Sequence, residues 1–393
     1  MKVSLRGQVP PFQVMAILDR VAELRAAGRD VISLCAGEPQ GGAPADVRTL
    51  AADLYAGTDP LGYTGALGLP ELRRAIADHY GRWYDLPVDA REVAVTTGAS
   101  GAFVLVFLAA FDVGDRVAVV RPGYPAYRNV LRALAIGVVD VPAGADTGFE
   151  PTPALLDAVV AEHGPLHGLV LASPANPTGS MVDRTRLADL VDWCRDHDVR
   201  LISDEIYHGI TYPADPSALG ARGTSAWELD RTTVVVSSFS KYWGMTGWRL
   251  GWALVPDDLR PAVDALAGNV ALCPPTPGQL SAIGAFTDAS YAEADARVAA
   301  LAGTRAGLLA ELPRLGWGPV APADGAFYLW AGIEDRRGPH AGAPDWCRAL
   351  REEAGGALVP GTDMDPVDGR GFVRLSFAAG PEAVAAAVDR IVA

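Results

Sequence analysis

Seven short apolar runs, each followed by enough residues for a helix or long turn, constrain this chain more than any other feature. They are Val93–Thr96, Arg116–Val120, Val138–Val141, Gly168–Ala172, Arg200–Ser203, Thr233–Val236 and Leu250–Val255. A strand covered on both faces has no side left for water, so it reads as continuous Val, Leu and Ile rather than as an alternation. The pattern predicts an α/β fold built on a mostly parallel seven-stranded sheet, in a large domain spanning residues 45–285. Beyond about Gly278 the pattern changes to Ala-, Leu- and Arg-rich helical sequence, Ser281 to Leu315, then to short strands near Ala326–Trp330 and Phe372–Phe377. That predicts a smaller α+β domain from residues 286–393, joined by the amino-terminal segment 1–44. At 393 residues and 50% hydrophobic content, the chain can bury a sizeable core.

The charge narrows the class of partner. A net charge of −14 disfavours nucleic acid and anionic membrane, which both call for clustered Lys and Arg, and leaves small molecules as the expected ligands. The longest strongly apolar run, Ala102 to Phe111, is too short to span a bilayer. The amphipathic stretch Phe12 to Leu24 lacks a signal-peptide layout, so a cytoplasmic location is expected. Cys35, Cys194, Cys273 and Cys347 are far apart and form no CxxC pair, which points to free thiols. His163 and His167 have a spacing that suits metal ligands on a helix, but Gly164 and Pro165 between them argue against one, and no metal is expected.

Polar residues cluster just after the apolar runs: Asn176, Asp204, Ser238 and Lys241. In open parallel sheets the carboxyl ends of the strands border the ligand crevice, so these residues converge on one place. Lys241 lies in Ser237-Ser238-Phe239-Ser240-Lys241-Tyr242-Trp243-Gly244-Met245-Thr246-Gly247-Trp248-Arg249. A lysine amine can form a Schiff base with the aldehyde of pyridoxal phosphate, and Ser238 and Arg249 can hold the phosphate on the same side. The alternative is a surface lysine, which fits poorly with the apolar run Val234 to Val236 before it. Asp204 can pair with a pyridine nitrogen, or merely cap a helix. Tyr207, three residues on, can reach a ring oxygen. Asn176, in Ser173-Pro174-Ala175-Asn176-Pro177-Thr178-Gly179, suits a cofactor contact or a plain turn. Thr97-Gly98-Ala99-Ser100-Gly101-Ala102 opens an apolar helix whose N-terminus can receive phosphate, yet it matches neither a Walker loop nor GxSxG.

Taken together with Gly37-Glu38-Pro39, Tyr63 to Arg73, Asp204-Glu205-Ile206-Tyr207 and Phe372-Val373-Arg374-Leu375-Ser376-Phe377, these segments resemble the fold-type I, class I pyridoxal phosphate-dependent aminotransferases, in the aspartate aminotransferase-like branch. The resemblance runs over nearly the whole chain. It implies Lys241 as the catalytic lysine, Asp204 on the pyridine nitrogen, and Tyr207 and Asn176 on the 3-oxygen. It implies Ala99, Ser100, Ser238 and Arg249 on the phosphate and Tyr124 stacked on the ring. Gly37, Asn176 and Arg374 would bind substrate, Arg374 gripping the α-carboxylate. Tyr63 would reach the phosphate of a neighbouring subunit, making a homodimer with shared sites.

The implied activity is transfer of an amino group from an α-amino acid to a 2-oxo acid. Family members that act on dicarboxylates often place a lysine where this chain has Ser100, so a neutral or apolar donor is expected. An arginine of a partner subunit, or Arg6 or Arg25 of the amino-terminal segment, would be the alternative partner for an acidic side chain. Aspartate aminotransferase, or a β-lyase or cyclising enzyme with the same cofactor, is the alternative activity. A non-catalytic regulator is disfavoured, because the chain keeps Lys241 and offers neither a basic region nor a spare segment before Pro10 for a DNA-binding domain.

Overall fold

The computed structural model describes residues 1–393, and the seven apolar runs form one sheet. In chain order the strands are β1 (Ile32–Ser33), β2 (Val93–Thr96), β3 (Arg116–Arg121), β4 (Gly137–Pro142), β5 (Gly168–Ala172), β6 (Arg200–Asp204), β7 (Val234–Ser238), β8 (Gly251–Leu254), β9 (Tyr328–Gly332), β10 (Gly356–Ala357), β11 (Val359–Pro360) and β12 (Phe372–Ser376). The large sheet has the order β2-β8-β7-β6-β5-β3-β4. β3 to β7 pair in parallel, whereas β8 runs antiparallel to both β2 and β7.

The orientation of β8 follows from the length of its connection. Only residues 239–250 separate β7 from β8, and they hold no α-helix. A parallel crossover usually carries a helix across one face of the sheet, and this twelve-residue link, at the lower limit of crossover length and without an α-helix, turns back instead. As a result the end of β7, the start of β8 and the end of β2 share one edge, with Ser238 opposite Gly251 and Thr96 opposite Gly251. That edge carries Lys241, Arg249 and the first turn of the helix Gly98–Ala110.

Helices cover both faces. The Gly98–Ala110 helix buries Ala102, Phe103, Val106 and Phe107 against Val234, Val236 and Ala253 of the sheet. The Arg184–Asp196 helix packs Leu187, Leu190 and Val191 on the other face, in the same cluster as Leu169 and Leu201. Its start is capped by Asp183, which accepts from the Arg186 N–H at 2.9 Å. Thr152 caps the Pro153–His163 helix in the same way, and a proline at the first helical position supplies a preset φ.

The second region is an antiparallel sheet, β11-β12-β9, with β1 pairing in parallel with β10. Arg374 sits at its middle, opposite Trp330 on one side and Val359 on the other. The amino-terminal helix Gln13–Ala26 packs Val14, Ile17, Val21 and Leu24 beside Trp330 and Val359. Full burial of such a side chain contributes about 1.5–3 kcal/mol. Cys35, Cys194 and Cys347 are buried free thiols, and Cys273 is a partly exposed one. No helix is long and apolar enough to cross a membrane.

Candidate active site

A cavity of about 360 Å³ opens at the carboxyl edge of the large sheet, between it and the small sheet. Its floor is the end of β6. Asp204 is 4% exposed there, and its carboxylate accepts from the Tyr127 hydroxyl and from the Ile206 N–H at 3.0 Å. Burial pushes its pKa up to about 6, while those two hydrogen bonds and the nearby Lys241 pull it down.

Lys241 stands in the turn after β7 and donates from Nζ to the Gly37 carbonyl at 2.7 Å. Its ammonium lies 5.9 Å from the centre of the Tyr207 ring. Burial lowers its pKa to about 8; Arg374 and Arg249 lower it further, while Glu38 and Asp204 act against them. A lysine so placed loses its proton far more readily than one in water.

Two guanidinium groups complete the positive charge. Arg249 takes a left-handed backbone conformation, φ 51°, and bonds from Nη1 to the Thr246 carbonyl at 2.8 Å. Its Nη2 lies close to Gly98, whose φ of 73° is a backbone conformation that favours glycine. Arg374 bonds from Nη1 to Asn176 Oδ1 at 3.0 Å and from Nη2 to the Cys35 carbonyl at 2.7 Å, while its buried Nε has no partner. It lies 4.7 Å over the Tyr328 ring, and the Tyr328 hydroxyl meets that of Tyr207 at 2.9 Å. Lys241, Arg249 and Arg374 thus bond only uncharged oxygens, in a chain with 47 Asp and Glu against 33 Lys and Arg. Arg374 is buried, Lys241 is half-buried and Arg249 is exposed, so the three present positive charge along the cavity from its depth to its mouth, where an anionic ligand would meet it.

Ten of the residues singled out from the sequence line this cavity: Gly37, Ala99, Ser100, Tyr124, Asn176, Asp204, Tyr207, Lys241, Arg249 and Arg374. Ser238 does not. Its hydroxyl is buried, donates to the Leu250 carbonyl at 2.8 Å and accepts from the Ser240 N–H at 3.0 Å, and it is Ser240 that faces the cavity. Tyr63 does not line it either and is 84% exposed. Arg6 is outside, and Arg25 is tied to the Val31 carbonyl by Nε at 3.0 Å and Nη2 at 2.7 Å. Sequence reasoning missed Tyr127, Tyr328 and the apolar residues Phe12, Met15 and Leu18. Tyr127 had a signal, since it lies one helical turn beyond Tyr124; Tyr328 had none. A stronger signal for Lys241 was also present: lysine occurs only twice in the chain, at positions 2 and 241.

A lysine of lowered pKa beside two arginines, at the carboxyl edge of a mostly parallel sheet, is a set of groups suited to group-transfer chemistry. Residues 29–391 match the family described as aminotransferase class I and II, and the chain belongs to it. It is 47% identical over 390 residues to the valine–pyruvate aminotransferase of Mycobacterium tuberculosis, covering 99% of this chain and 97% of that protein. A crystal structure of an aminotransferase from Mycobacterium tuberculosis matches with a TM-score of 0.94 and 46% identity, over 100% of this chain and 98% of the other. The aspartate aminotransferase of Thermus thermophilus with maleate matches with a TM-score of 0.90 and 31% identity, over 100% of this chain and 99% of that one.

Proposed function

We propose that the chain binds pyridoxal 5′-phosphate in this cavity and moves the amino group of a neutral or apolar α-amino acid, valine among them, to a 2-oxo acid such as pyruvate. The observation that carries the reading is the set of three cations without carboxylate partners around one buried Asp. The donor set suits the cofactor: an amine for its aldehyde, a carboxylate for its ring nitrogen, and a guanidinium for its phosphate. When bound, the cofactor supplies a carbonyl carbon that accepts the amino group and a ring that draws electrons from the substrate Cα.

The residues divide the remaining work. Lys241 would hold the cofactor covalently at rest, and its Nζ, once released, would take the substrate Cα proton. Asp204, ionised at pH 7, would keep the ring nitrogen protonated, with Tyr127 fixing the carboxylate from behind. Tyr124 would lie against the ring, and Tyr207 and Asn176 would face its 3-oxygen. Arg249, Ser100 and the backbone N–H groups at Ala99 and Ser100 would hold the phosphate. Ser238 would join them once its hydroxyl turns away from Leu250. Arg374 would hold the substrate α-carboxylate beside Gly37 and Asn176, through the N–H groups of its guanidinium not engaged with Asn176 and Cys35.

Residues 45–285 form the large cofactor-binding unit in this reading, and 1–44 with 286–393 the smaller one. The pairing of β1 with β10 supports joining the amino-terminal segment to the latter. A homodimer is part of the same proposal, with Tyr63 reaching the phosphate of a second copy. The 84% exposure of Tyr63 leaves its side chain free to meet a second copy.

Two measurements test the function. Borohydride reduction of the holoenzyme should fix the cofactor to Lys241, and Lys241→Ala should lose both that link and turnover. Single amino acids should convert the bound cofactor stoichiometrically to its amine form without releasing ammonia; release of ammonia would favour an eliminating enzyme. Valine and alanine should outpace aspartate, because the cavity has no cation beyond the three already engaged and an unpaired buried carboxylate costs a few kcal/mol, roughly. Aspartate leading by about tenfold would reverse the assignment.

A further inference from the structure

Tyr328 opens β9 on the small sheet, yet its hydroxyl crosses to the other side of the cavity and meets that of Tyr207, just after β6, at 2.9 Å. The residue is 1% exposed, and the Arg374 guanidinium lies 4.7 Å over its ring. Its hydroxyl is pressed against Gly37, where a Cβ would stand 2.6 Å from it. Tyr207, Arg374 and Gly37, each with a task of its own above, thus all touch one side chain that has none.

The plain explanation is that two buried hydroxyls satisfy each other. Counting protons takes the pair further. A phenol has one O–H to give and can accept in return. Burial pushes the pKa of both tyrosines up, so both keep their protons at neutral pH. If Tyr207 gives its only proton to the cofactor 3-oxygen, it can only accept from Tyr328, whose hydroxyl has no other hydrogen-bond partner. The direction of the pair is then fixed, from Tyr328 to Tyr207 to the 3-oxygen. Donors in such a chain polarise one another, and the positive charge of Arg374 over the Tyr328 ring makes the first of them the better donor. Asn176 is backed in a parallel way: its Oδ1 accepts from Arg374 at 3.0 Å, which leaves its amide N–H groups for the same oxygen.

We propose that Tyr328 is a positioning residue that donates to Tyr207 and holds that phenol with its proton toward the cofactor 3-oxygen. This rests on the aminotransferase reading above. A stronger donor at the 3-oxygen takes up negative charge that would otherwise hold a proton on the neighbouring nitrogen of the lysine–cofactor link. Tyr328 therefore makes that link give up its proton at lower pH.

The test is an absorbance titration of the holoenzyme without substrate, which reads the protonation of the link rather than turnover. Tyr328→Phe keeps the ring beneath Arg374 and removes only the hydroxyl. Its midpoint should rise by roughly 0.2–0.6 of a pH unit, the share of a charge-assisted bond that polarisation supplies. Tyr207→Phe should raise the midpoint further, and in the double variant the Tyr328 change should add nothing, because it acts through Tyr207. An unchanged midpoint in Tyr328→Phe, or a rise that persists in full in the Tyr207→Phe background, would overturn the proposal and leave Tyr328 as core packing. A parent enzyme whose cofactor borohydride cannot fix to Lys241 would instead overturn the aminotransferase reading, and this one with it.

Discussion

At the scale of single residues, the chain has replaced lysine by arginine nearly everywhere: of 33 basic residues two are lysine, and Lys241 is the one inside the fold. A guanidinium does not give up its proton in a protein, so an exchange tolerated elsewhere would end the chemistry at this position. With its pKa lowered to about 8, Lys241 in the cofactor-free enzyme should react with a small acylating reagent with a midpoint near pH 8, read by mass spectrometry. A midpoint near the ordinary lysine value, about 10.4, would remove the role given to burial. Because the folded pKa is depressed, the folded state binds fewer protons than the unfolded one between those values, and this group's contribution favours folding increasingly as pH rises across them. Asp204 has the opposite sign. Its pKa is raised to about 6, so the stability linked to its protonation is present below its unfolded value and is lost as pH rises through 6. At pH 7 the buried charge therefore weighs against folding of the cofactor-free enzyme. Asp204→Asn should raise the melting temperature of the cofactor-free protein while slowing the half-reaction severely, since an amide cannot hold a ring nitrogen protonated. If that variant is both less stable and fully active, Asp204 is an ordinary helix cap.

At the scale of elements, burial on both faces made the strands legible, since each had to be apolar throughout. Apolarity says nothing about direction, however, and the reversal of β8 is visible only in the short link from β7 that bears Lys241. Ser238 and Tyr127 show a similar limit within the site. A residue's place on a strand end or helix turn can be read from spacing, but the rotation that turns the Ser238 hydroxyl to Leu250 and brings Tyr127 under Asp204 depends on neighbours distant in sequence. The tie between the two sheets was not legible either. Arg121 at the end of β3 pairs with Asp365 at 3.2 Å and with Asp368 at 2.6 Å, and the Gly123 N–H reaches the Met364 carbonyl at 3.1 Å. Arg121 and Asp365 side chains are 13% and 5% exposed, so Arg121→Met should leave a buried carboxylate without its counter-charge. Breaking a buried pair costs about 3–5 kcal/mol. Here the Val367 and Asp368 N–H groups still donate to Asp365, which places the loss at the lower end. A lowered urea midpoint that Arg121→Met/Asp365→Asn partly restores is the expected result, and an unchanged midpoint would show that the tie is dispensable.

At the scale of the whole molecule, one chain supplies a cavity, its cations and its floor, yet leaves Tyr63 outside. Its loop is well held rather than loose: the Thr276 hydroxyl donates to the Gly62 carbonyl at 2.6 Å, the Gln279 amide donates to Thr64 Oγ1 at 3.1 Å, and Gln279 Oε1 accepts from the Leu69 N–H at 2.8 Å. A tyrosine fixed by its backbone but 84% exposed is poised to meet something beyond its own chain. The resemblance and the proposed dimer give that something as the phosphate end of the cavity in a second copy. If so, each site needs Lys241 from one chain and Tyr63 from the other. Lys241→Ala would then abolish the chemistry of its own site, and Tyr63→Phe would remove a phosphate hydrogen bond from its partner's, which should weaken cofactor retention by roughly tenfold for a net loss of about 1–1.5 kcal/mol. Mixing the two variants after subunit exchange should then produce hybrid dimers in which one site has both groups intact and recovers parent-like cofactor retention, up to a quarter of the sites at equal mixing when chains assort at random. Recovery should require exchange and vanish when the variants are mixed under conditions that prevent it. A fully active monomer by light scattering at assay concentration, or a mixture no better than the sum of its parts after proven exchange, would confine Tyr63 to the surface of its own chain.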